Sequence, residues 1–200
     1  MHGYLDRITF GGVNIHFNGR EDMGVWLEMS GQGCRTFETF GNGDYEQLFD
    51  YVLENPDDLH ITRLDVAYDD HEGVLDMEQL KKDTLEDSYI SKWEKGKVIL
   101  GHGSGKGEDT LEFGSMKSAI FLRIYNKAAE RGFIDRHWLR VELQMRDERA
   151  LSFLSLKRTW GLGFVVCYET ICASLKSRRG AWSRTLIAAA GQPHPIGRIS

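Results

Sequence analysis

Three segments of this chain alternate apolar and polar residues with the two-residue period of a β-strand. They cover residues 61–69, 120–127 and 138–146. Because successive side chains of a strand point to opposite faces, each segment has one apolar side for packing and one polar side. The pattern therefore restricts the chain to folds in which a β-sheet buries one face and leaves a charged face more open.

The polar sides of the three segments are similar, since each has arginine together with a carboxylate or a tyrosine. In chain order they are Arg63, Asp65, Ala67 and Asp69, then Phe121, Arg123, Tyr125 and Lys127, then Arg140, Glu142, Gln144 and Arg146. An antiparallel sheet with cross-strand salt bridges would show the same alternation without any function. For three strands together, we favour a functional site.

Two of the segments also repeat each other. Residues 61–67 and 138–144 align at an offset of 77, which matches Arg63 with Arg140 and Asp65 with Glu142. This repeat predicts two pseudo-symmetric halves of the βαβ type. A chance match is the alternative, because the repeated segment is short.

The rest of the chain supplies shorter strands and several helices. Strands are predicted at residues 5–10, 13–17, 25–29, 97–100 and 110–113, and helices at 45–53, 76–85 and 148–157. The apolar stretch 164–175 is a candidate last helix. We predict an α+β fold with a large, mostly antiparallel β-sheet, polar on one side and covered by helices on the other.

The domain organisation follows from the same reading. A single domain is expected over residues 1–190, with halves at about 1–85 and 90–160 and a helical C-terminal part at 148–190. An irregular tail is expected at 191–200, where two of the three prolines lie.

The composition excludes several classes of protein. At 41% hydrophobic and 28% charged residues, the chain is typical of globular rather than disordered proteins. It has no apolar run long enough to span a membrane and no signal peptide at its start. Its three cysteines fit neither a disulfide framework nor a zinc site. We therefore expect a cytoplasmic protein without a membrane partner.

Charge is divided unevenly along the chain. Residues 1–110 hold 10 Lys and Arg against 23 Asp and Glu, whereas residues 111–200 hold 15 against 7. A basic half of this kind is a hint of phosphate binding. Acidic helices concentrated in the first half would give the same asymmetry.

The acidic residues of the polar face are candidate metal ligands. Carboxylates on neighbouring strands repel each other unless a cation lies between them, and oxygen ligands favour Mg²⁺ or Mn²⁺. The candidates are Asp65 and Glu142, with Asp69 or Asp70 as a third ligand and Glu112 or Glu28 as weaker alternatives.

Tyr125 is a candidate nucleophile because Arg123 and Lys127 flank it on the same predicted face. A phenol with a pKa of about 10 needs nearby positive charge to react as phenolate. The same cations could hold a phosphate. The alternative is an ordinary amphipathic tyrosine at the rim of the core.

The glycine-rich segment 101–107 is a weaker candidate. It lacks the Gly-Lys-Ser/Thr ending of a phosphate loop, and we expect a mobile loop able to touch a DNA backbone. The predicted DNA contacts are Arg63, Arg140, Arg146, Lys117 and Lys106.

Five motifs in order resemble those of the replication initiation factor family. They are Ser30-Gly-Gln-Gly-Cys34-Arg, Ile61-Thr-Arg-Leu-Asp-Val-Ala-Tyr-Asp-Asp70, Phe113-Gly-Ser, Leu122-Arg-Ile-Tyr-Asn-Lys127 and Trp138-Leu-Arg-Val-Glu-Leu143. The likeness extends from about Gly12 to Arg149. The family includes initiators of rolling-circle plasmids, relaxases of integrative conjugative elements and replication proteins of some phages.

The resemblance implies a DNA-facing polar sheet and a metal-dependent nickase and ligase. Tyr125 would attack a phosphodiester at an origin hairpin, form a 5′-phosphotyrosyl link and leave a 3′-hydroxyl. Asp65 and Glu142 would bind the metal, and Arg123 and Lys127 would offset charge. Single-stranded or hairpin origin DNA is the implied partner, and a host helicase and a second copy of the chain are further candidates.

Two other functions remain open from the sequence. The chain could be a non-catalytic module that binds an origin hairpin, or an oligomerising scaffold whose polar sheet face binds another protein. Salt-dependent DNA binding would separate the first of these from the second.

Overall fold

The computed structural model describes residues 3–91, 93–101, 109–133, 135–160 and 175–177. Within them the chain forms two compact units, one ending at Glu54 and the other beginning at Asn55. This division differs from the predicted boundary between halves near residues 85–90. The tail 191–200 and residues 164–174 of the apolar stretch lie outside the described part of the chain.

The first unit contains three strands followed by two helices. Its strands are β1 (Asp6–Phe10), β2 (Val13–Phe17) and β3 (Trp26–Met29), and its helices are α1 (Gly31–Phe40) and α2 (Tyr45–Glu54). The strands form one antiparallel sheet in the order β1–β2–β3. The strands and α2 agree with the sequence prediction to within one residue at each end.

Helix α1 is the element of this unit that the sequence did not predict, because its first turn contains Gly31 and Gly33 and glycine disfavours helices. Ser30 caps the helix, and its Oγ accepts the N–H of Gly33 at 3.2 Å. A Cβ on Gly33 would lie 2.3 Å from the carbonyl oxygen of Gly12. Glycine is therefore needed here for close backbone packing rather than for helix formation.

The second unit is built on a sheet of five strands. They are β4 (Arg63–Asp70), β6 (Gly96–Ile99), β7 (Thr110–Phe113), β8 (Ile120–Asn126) and β9 (Leu139–Arg146). They form an antiparallel sheet in the order β4–β9–β8–β7–β6. The helices of this unit are α3 (Met77–Leu85), α4 (Lys127–Glu130) and α5 (Glu148–Trp160), and a small separate sheet pairs β5 (Tyr89–Ser91) with β10 (Leu175–Ser177).

The predicted α+β class with a mostly antiparallel sheet is confirmed, since each described strand pair is antiparallel. The predicted helical part 148–190 begins with α5 but contains a strand at Leu175–Ser177. That strand forms because its backbone pairs with Tyr89–Ser91, a contact between distant parts of the sequence. None of the described helices is both long and apolar enough to cross a membrane.

The apolar sides of the alternating segments form the core of the second unit. The register places them in rows across the sheet, with Tyr68, Val141, Ile124 and Leu111 in one row and Val66, Leu143, Leu122 and Phe113 in the next. In the second row, Leu143, Leu122 and Phe113 have no exposed surface. Burial of each such side chain contributes about 1.5–3 kcal/mol.

The repeated segments are β4 and β9, which are neighbours in the sheet. Their register pairs Val66 with Leu143, the same two residues that the offset of 77 matches in the sequence. A local twofold axis of the strand pair at this position would therefore also relate the two repeats.

Candidate active site

The polar sides of β4, β9, β8 and β7 share one face of the sheet, because register partners in antiparallel strands point the same way. The rows on this polar face are Asp69–Arg140–Tyr125–Thr110, Ala67–Glu142–Arg123–Glu112 and Asp65–Gln144–Phe121. Sequence alternation therefore placed the candidate residues of these strands on a common face.

Tyr125 lies at the centre of a group of charged side chains. Its hydroxyl donates a hydrogen bond to Glu142 Oε1 at 2.6 Å and accepts one from Lys127 Nζ at 3.2 Å. The guanidinium carbon of Arg123 is 4.6 Å from the centre of the phenol ring. Only 7% of Tyr125 is exposed. The three residues predicted to act together, Tyr125, Arg123 and Lys127, are thus in contact, with Glu142 as the acceptor for the phenol proton.

The electrostatics of Tyr125 differ from the sequence expectation. Burial raises the pKa of the phenol above its ordinary value, and the hydrogen bond to Glu142 raises it further. The flanking cations do not offset this rise, because Arg123 donates to Glu142 Oε2 at 2.5 Å and Lys127 donates to Glu130 Oε2 at 2.6 Å. The positive charge that the sequence places beside Tyr125 is therefore already paired, and the pKa of the phenol is raised.

Asp69 is tied to the residue beside Tyr125. Both of its oxygens accept from Arg140, at 2.7 and 2.6 Å, and Oδ1 also accepts the indole N–H of Trp138 at 2.6 Å. Burial would raise the pKa of Asp69, but the hydrogen bonds from Arg140 and Trp138 outweigh it and lower that pKa. Arg140 is also 3.8 Å from Glu142 Oε1. Asp69 therefore holds Arg140 against the acidic partner of the phenol.

Other predicted ligands have different roles. Asp65 accepts from Arg63 on its own strand, with Nε 2.7 Å from Oδ1. Glu112 lies 3.8 Å from Lys97 Nζ. Glu28 belongs to the first unit, where its carboxylate is 3.7 Å from His16 Nε2.

Asp70 is a loop-forming residue rather than part of the polar face. Its carboxylate has no exposed surface and accepts the backbone N–H groups of four residues that follow the strand, and it also lies 3.0 Å from His137 Nε2. These contacts shape residues 71–75 and use both carboxylate oxygens.

The predicted metal ligands do not form a metal centre as arranged. Among the described residues, no three Asp, Glu, His or Cys side chains are grouped so that they could hold a metal ion. Asp69, Asp65 and Glu142 each accept from an arginine, which occupies oxygens that a cation would need. The donor set Asp65, Glu142, Asp69 and Glu112 therefore shares one face, and its carboxylates pair with arginine or lysine in this arrangement.

Three of the five predicted DNA contacts, Arg63, Arg146 and Lys117, lie at one end of the polar face. Arg63 and Arg146 are register partners there. Arg146 Nε donates to the carbonyl of Met116 at 3.2 Å, in the turn that carries the exposed Lys117. Arg140 lies instead beside Tyr125, and Lys106 is outside the described residues.

Two members of the site were missed by the sequence reading. Glu130 neutralises Lys127, and Trp138 anchors Asp69. The spacing of three between Lys127 and Glu130 was a usable signal, because such pairs meet on a helix. Trp138 had no comparable signal, since its contact with Asp69 depends on the pairing of β4 with β9.

Comparisons with known proteins agree with the division into two units. A family model described as "Replication initiation factor" matches residues 59–157, and one described as "Rolling Circle replication initiation protein N-terminal domain" matches residues 1–53. The boundary between the two units falls in residues 54–58, which separate the two matched ranges.

A curated relative and a solved structure extend this likeness. "Putative DNA relaxase NicK" of Bacillus subtilis (strain 168) is 32% identical over 163 residues, which cover 75% of this chain and 46% of the relative. The chain thus spans about half the length of that protein. The rolling circle replication initiator protein from Geobacillus stearothermophilus has a TM-score of 0.81 and 29% identity, with 100% of this chain and 82% of that chain covered.

The matches confirm the resemblance seen in the motifs. The chain belongs to the replication initiation factor family of rolling-circle initiators and relaxases.

Proposed function

We propose that the chain nicks and rejoins single-stranded origin DNA, with Tyr125 as the nucleophile. The observation that carries this proposal is the hydrogen bond of 2.6 Å from the Tyr125 hydroxyl to Glu142. A nucleophile already bound to a proton acceptor, in a chain of this family, is the arrangement that such chemistry needs.

The reaction exchanges one phosphate ester for another. The phenol oxygen attacks phosphorus while the bond from phosphorus to the 3′ oxygen breaks. Glu142 takes the phenol proton, the 5′ phosphate stays on Tyr125, and the 3′ oxygen takes a proton from solvent. Attack by a 3′-hydroxyl on the phosphotyrosyl ester reverses these steps, so rejoining needs no ATP.

Arg123 and Lys127 would stabilise the charge that develops on the transferring phosphate. A phosphate placed at Tyr125 competes with Glu142 for Arg123 and with Glu130 for Lys127. The leaving oxygen departs opposite the attacking phenol in an in-line displacement, so Lys127, which contacts the phenol oxygen, is not its proton donor.

The requirement for Mg²⁺ or Mn²⁺ stays a prediction, and none of these steps uses a metal. The hairpin form of the origin, a host helicase and a second copy of the chain also stay predictions.

The test is a covalent capture assay with a labelled single-stranded origin oligonucleotide, run with EDTA, Mg²⁺ or Mn²⁺. We expect an adduct that survives SDS, is absent in Tyr125→Phe and is retained in Tyr68→Phe. Tyr68 is a matched control because it lies in the same sheet on the opposite, apolar face. Equal adduct from the chain and from Tyr125→Phe would contradict the proposal.

A second candidate function is origin binding without cleavage. It is favoured by the burial of Tyr125, which is 7% exposed, and by the raised pKa of its phenol. In that case the same oligonucleotide would bind in a salt-dependent manner and form no adduct under any of the three conditions.

A further inference from the structure

Four planar side chains form a continuous row beside the polar face. The guanidinium carbon of Arg136 is 4.5 Å from the ring centre of Phe133. Phe133 and Trp138 are stacked with centres 6.4 Å apart and planes 24° apart, and Trp138 is 5.1 Å from His71. We call Arg136, Phe133, Trp138 and His71 the aromatic row.

The aromatic row is open to solvent although it contains large apolar rings. Phe133 is 43% exposed, Arg136 and His71 are exposed, and Trp138 is half-buried. Exposed rings held in a line contribute little to the core, so their exposure needs another explanation.

The aromatic row is linked to the strand position of the candidate nucleophile through Asp69 and Arg140. The indole N–H of Trp138 donates to Asp69, and Asp69 holds Arg140 through two hydrogen bonds. Arg140 is the register partner of Tyr125. A strand whose phosphate lies at Tyr125 therefore has the aromatic row within reach of its neighbouring nucleotides.

We propose that the aromatic row is a stacking site for unpaired bases next to the cleaved phosphate. This rests on the proposed function, because it takes the DNA strand to lie along the polar face. Base stacking on rings tolerates every base, and Arg136 adds a cation without requiring a given sequence. A duplex hides the faces of its bases, so the aromatic row favours single-stranded DNA at the site.

The test compares two strands of equal charge in the full chain carrying Tyr125→Phe, which prevents covalent capture. The probes are a labelled thymidine oligonucleotide of about 15 nucleotides and a backbone of the same length without bases. We expect the thymidine strand to bind more tightly. Adding Phe133→Leu should lower its affinity by about 5- to 100-fold and leave the affinity for the base-free strand unchanged.

The base-free strand reports whether the variant is folded and still binds phosphate. Phe40→Leu is the matched control, because Phe40 is 79% exposed in the first unit, and it should change neither affinity. An equal loss for both strands, or no loss for either, would overturn the stacking site.

Failure of the stacking site can be distinguished from failure of the proposed nicking function. With Tyr125 intact, Phe133→Leu should still form the covalent adduct at saturating DNA. If the chain forms an adduct through Tyr125 but Phe133→Leu binds thymidine normally, only the stacking site fails. If Phe133→Leu loses thymidine binding but no adduct ever forms, the stacking site stands and the nicking proposal fails.

Discussion

The two larger sheets of the described residues are both antiparallel but offer different surfaces. In the first unit, Ile8, Ile15 and Leu27 form one row across the sheet and are 57%, 36% and 48% exposed. In the second unit, the polar face carries Arg–carboxylate pairs around a tyrosine. One sheet thus presents apolar surface and the other presents charges that are already paired.

Charge sharpens the contrast. Residues 1–54 hold 3 of the 25 Lys and Arg residues but 9 of the 30 Asp and Glu residues, so the first unit repels a phosphate backbone. Its buried His16 stacks on Trp26 at 4.7 Å, which is aromatic packing. The proposed phosphate chemistry therefore fits the second unit better than the first.

The largest effect is expected for Glu142→Gln. The amide keeps the shape of the side chain but accepts a proton poorly, so the nicking rate at neutral pH should fall about 10²- to 10⁴-fold. Single-turnover cleavage of an origin oligonucleotide measures it. An unchanged rate would show that Glu142 does not accept the phenol proton of Tyr125. The polar face would then lack the base that the proposed reaction needs.

Asp69→Asn should lower the stability of the fold and loosen the hold on Arg140. Loss of the paired charge beside Arg140 should cost about 1–3 kcal/mol of unfolding free energy. Because the Asp69 pKa is lowered in the folded protein, its contribution is present above the ordinary carboxyl range and is lost as pH falls through the folded-state pKa.

Urea unfolding of both proteins at neutral and at acidic pH measures this contribution. The difference between the chain and Asp69→Asn should be full at neutral pH and should shrink below about pH 4. A difference that does not change with pH would mean that the ion pair with Arg140 is not the cause.

Gly33→Ala tests the first unit. Alanine normally stabilises a helix, but here its Cβ would meet the Gly12 carbonyl oxygen at 2.3 Å, so we expect a loss of about 1–3 kcal/mol. Thermal unfolding measures the loss, and nicking per folded molecule at low temperature should be unchanged. A fall in that rate as large as the fall for Glu142→Gln would show that the first unit also takes part in nicking.

The smallest effect is expected for Glu112→Gln. Glu112 has an ion pair with Lys97 at 3.8 Å, and 65% of the Lys97 side chain is exposed, so the pair should contribute less than about 1 kcal/mol. Nicking over a range of Mn²⁺ concentrations should match that of the unchanged chain. A shift in the Mn²⁺ concentration required would restore Glu112 as a ligand.

The sequence predicted the faces of the second sheet better than the contacts on them. A period of two placed Tyr125, Glu142 and Asp65 on one face, but only the register places Glu142 next to Tyr125 and Asp65 one row further away. The raised pKa of Tyr125 could not be foreseen for the same reason, since sequence alternation shows the flanking cations but not Glu142 and Glu130, which pair with them.

Local sequence also hid α1, α4, β5 and β10, and two of them show why. Helix α1 was missed because Gly33 is selected by its contact with Gly12, which lies far from it in the chain. The strand Leu175–Ser177 was missed because three residues are too few to show a period of two, and only the pairing with Tyr89–Ser91 defines it. In both places a long-range contact decides the structure.

The most direct test of Tyr125 as the nucleophile is mass spectrometry of the covalent complex after nuclease and protease digestion. We expect the peptide containing Tyr125 to carry a 5′-phosphonucleotide on the phenol oxygen. The same modification on another residue, with Tyr125 unmodified, would contradict it.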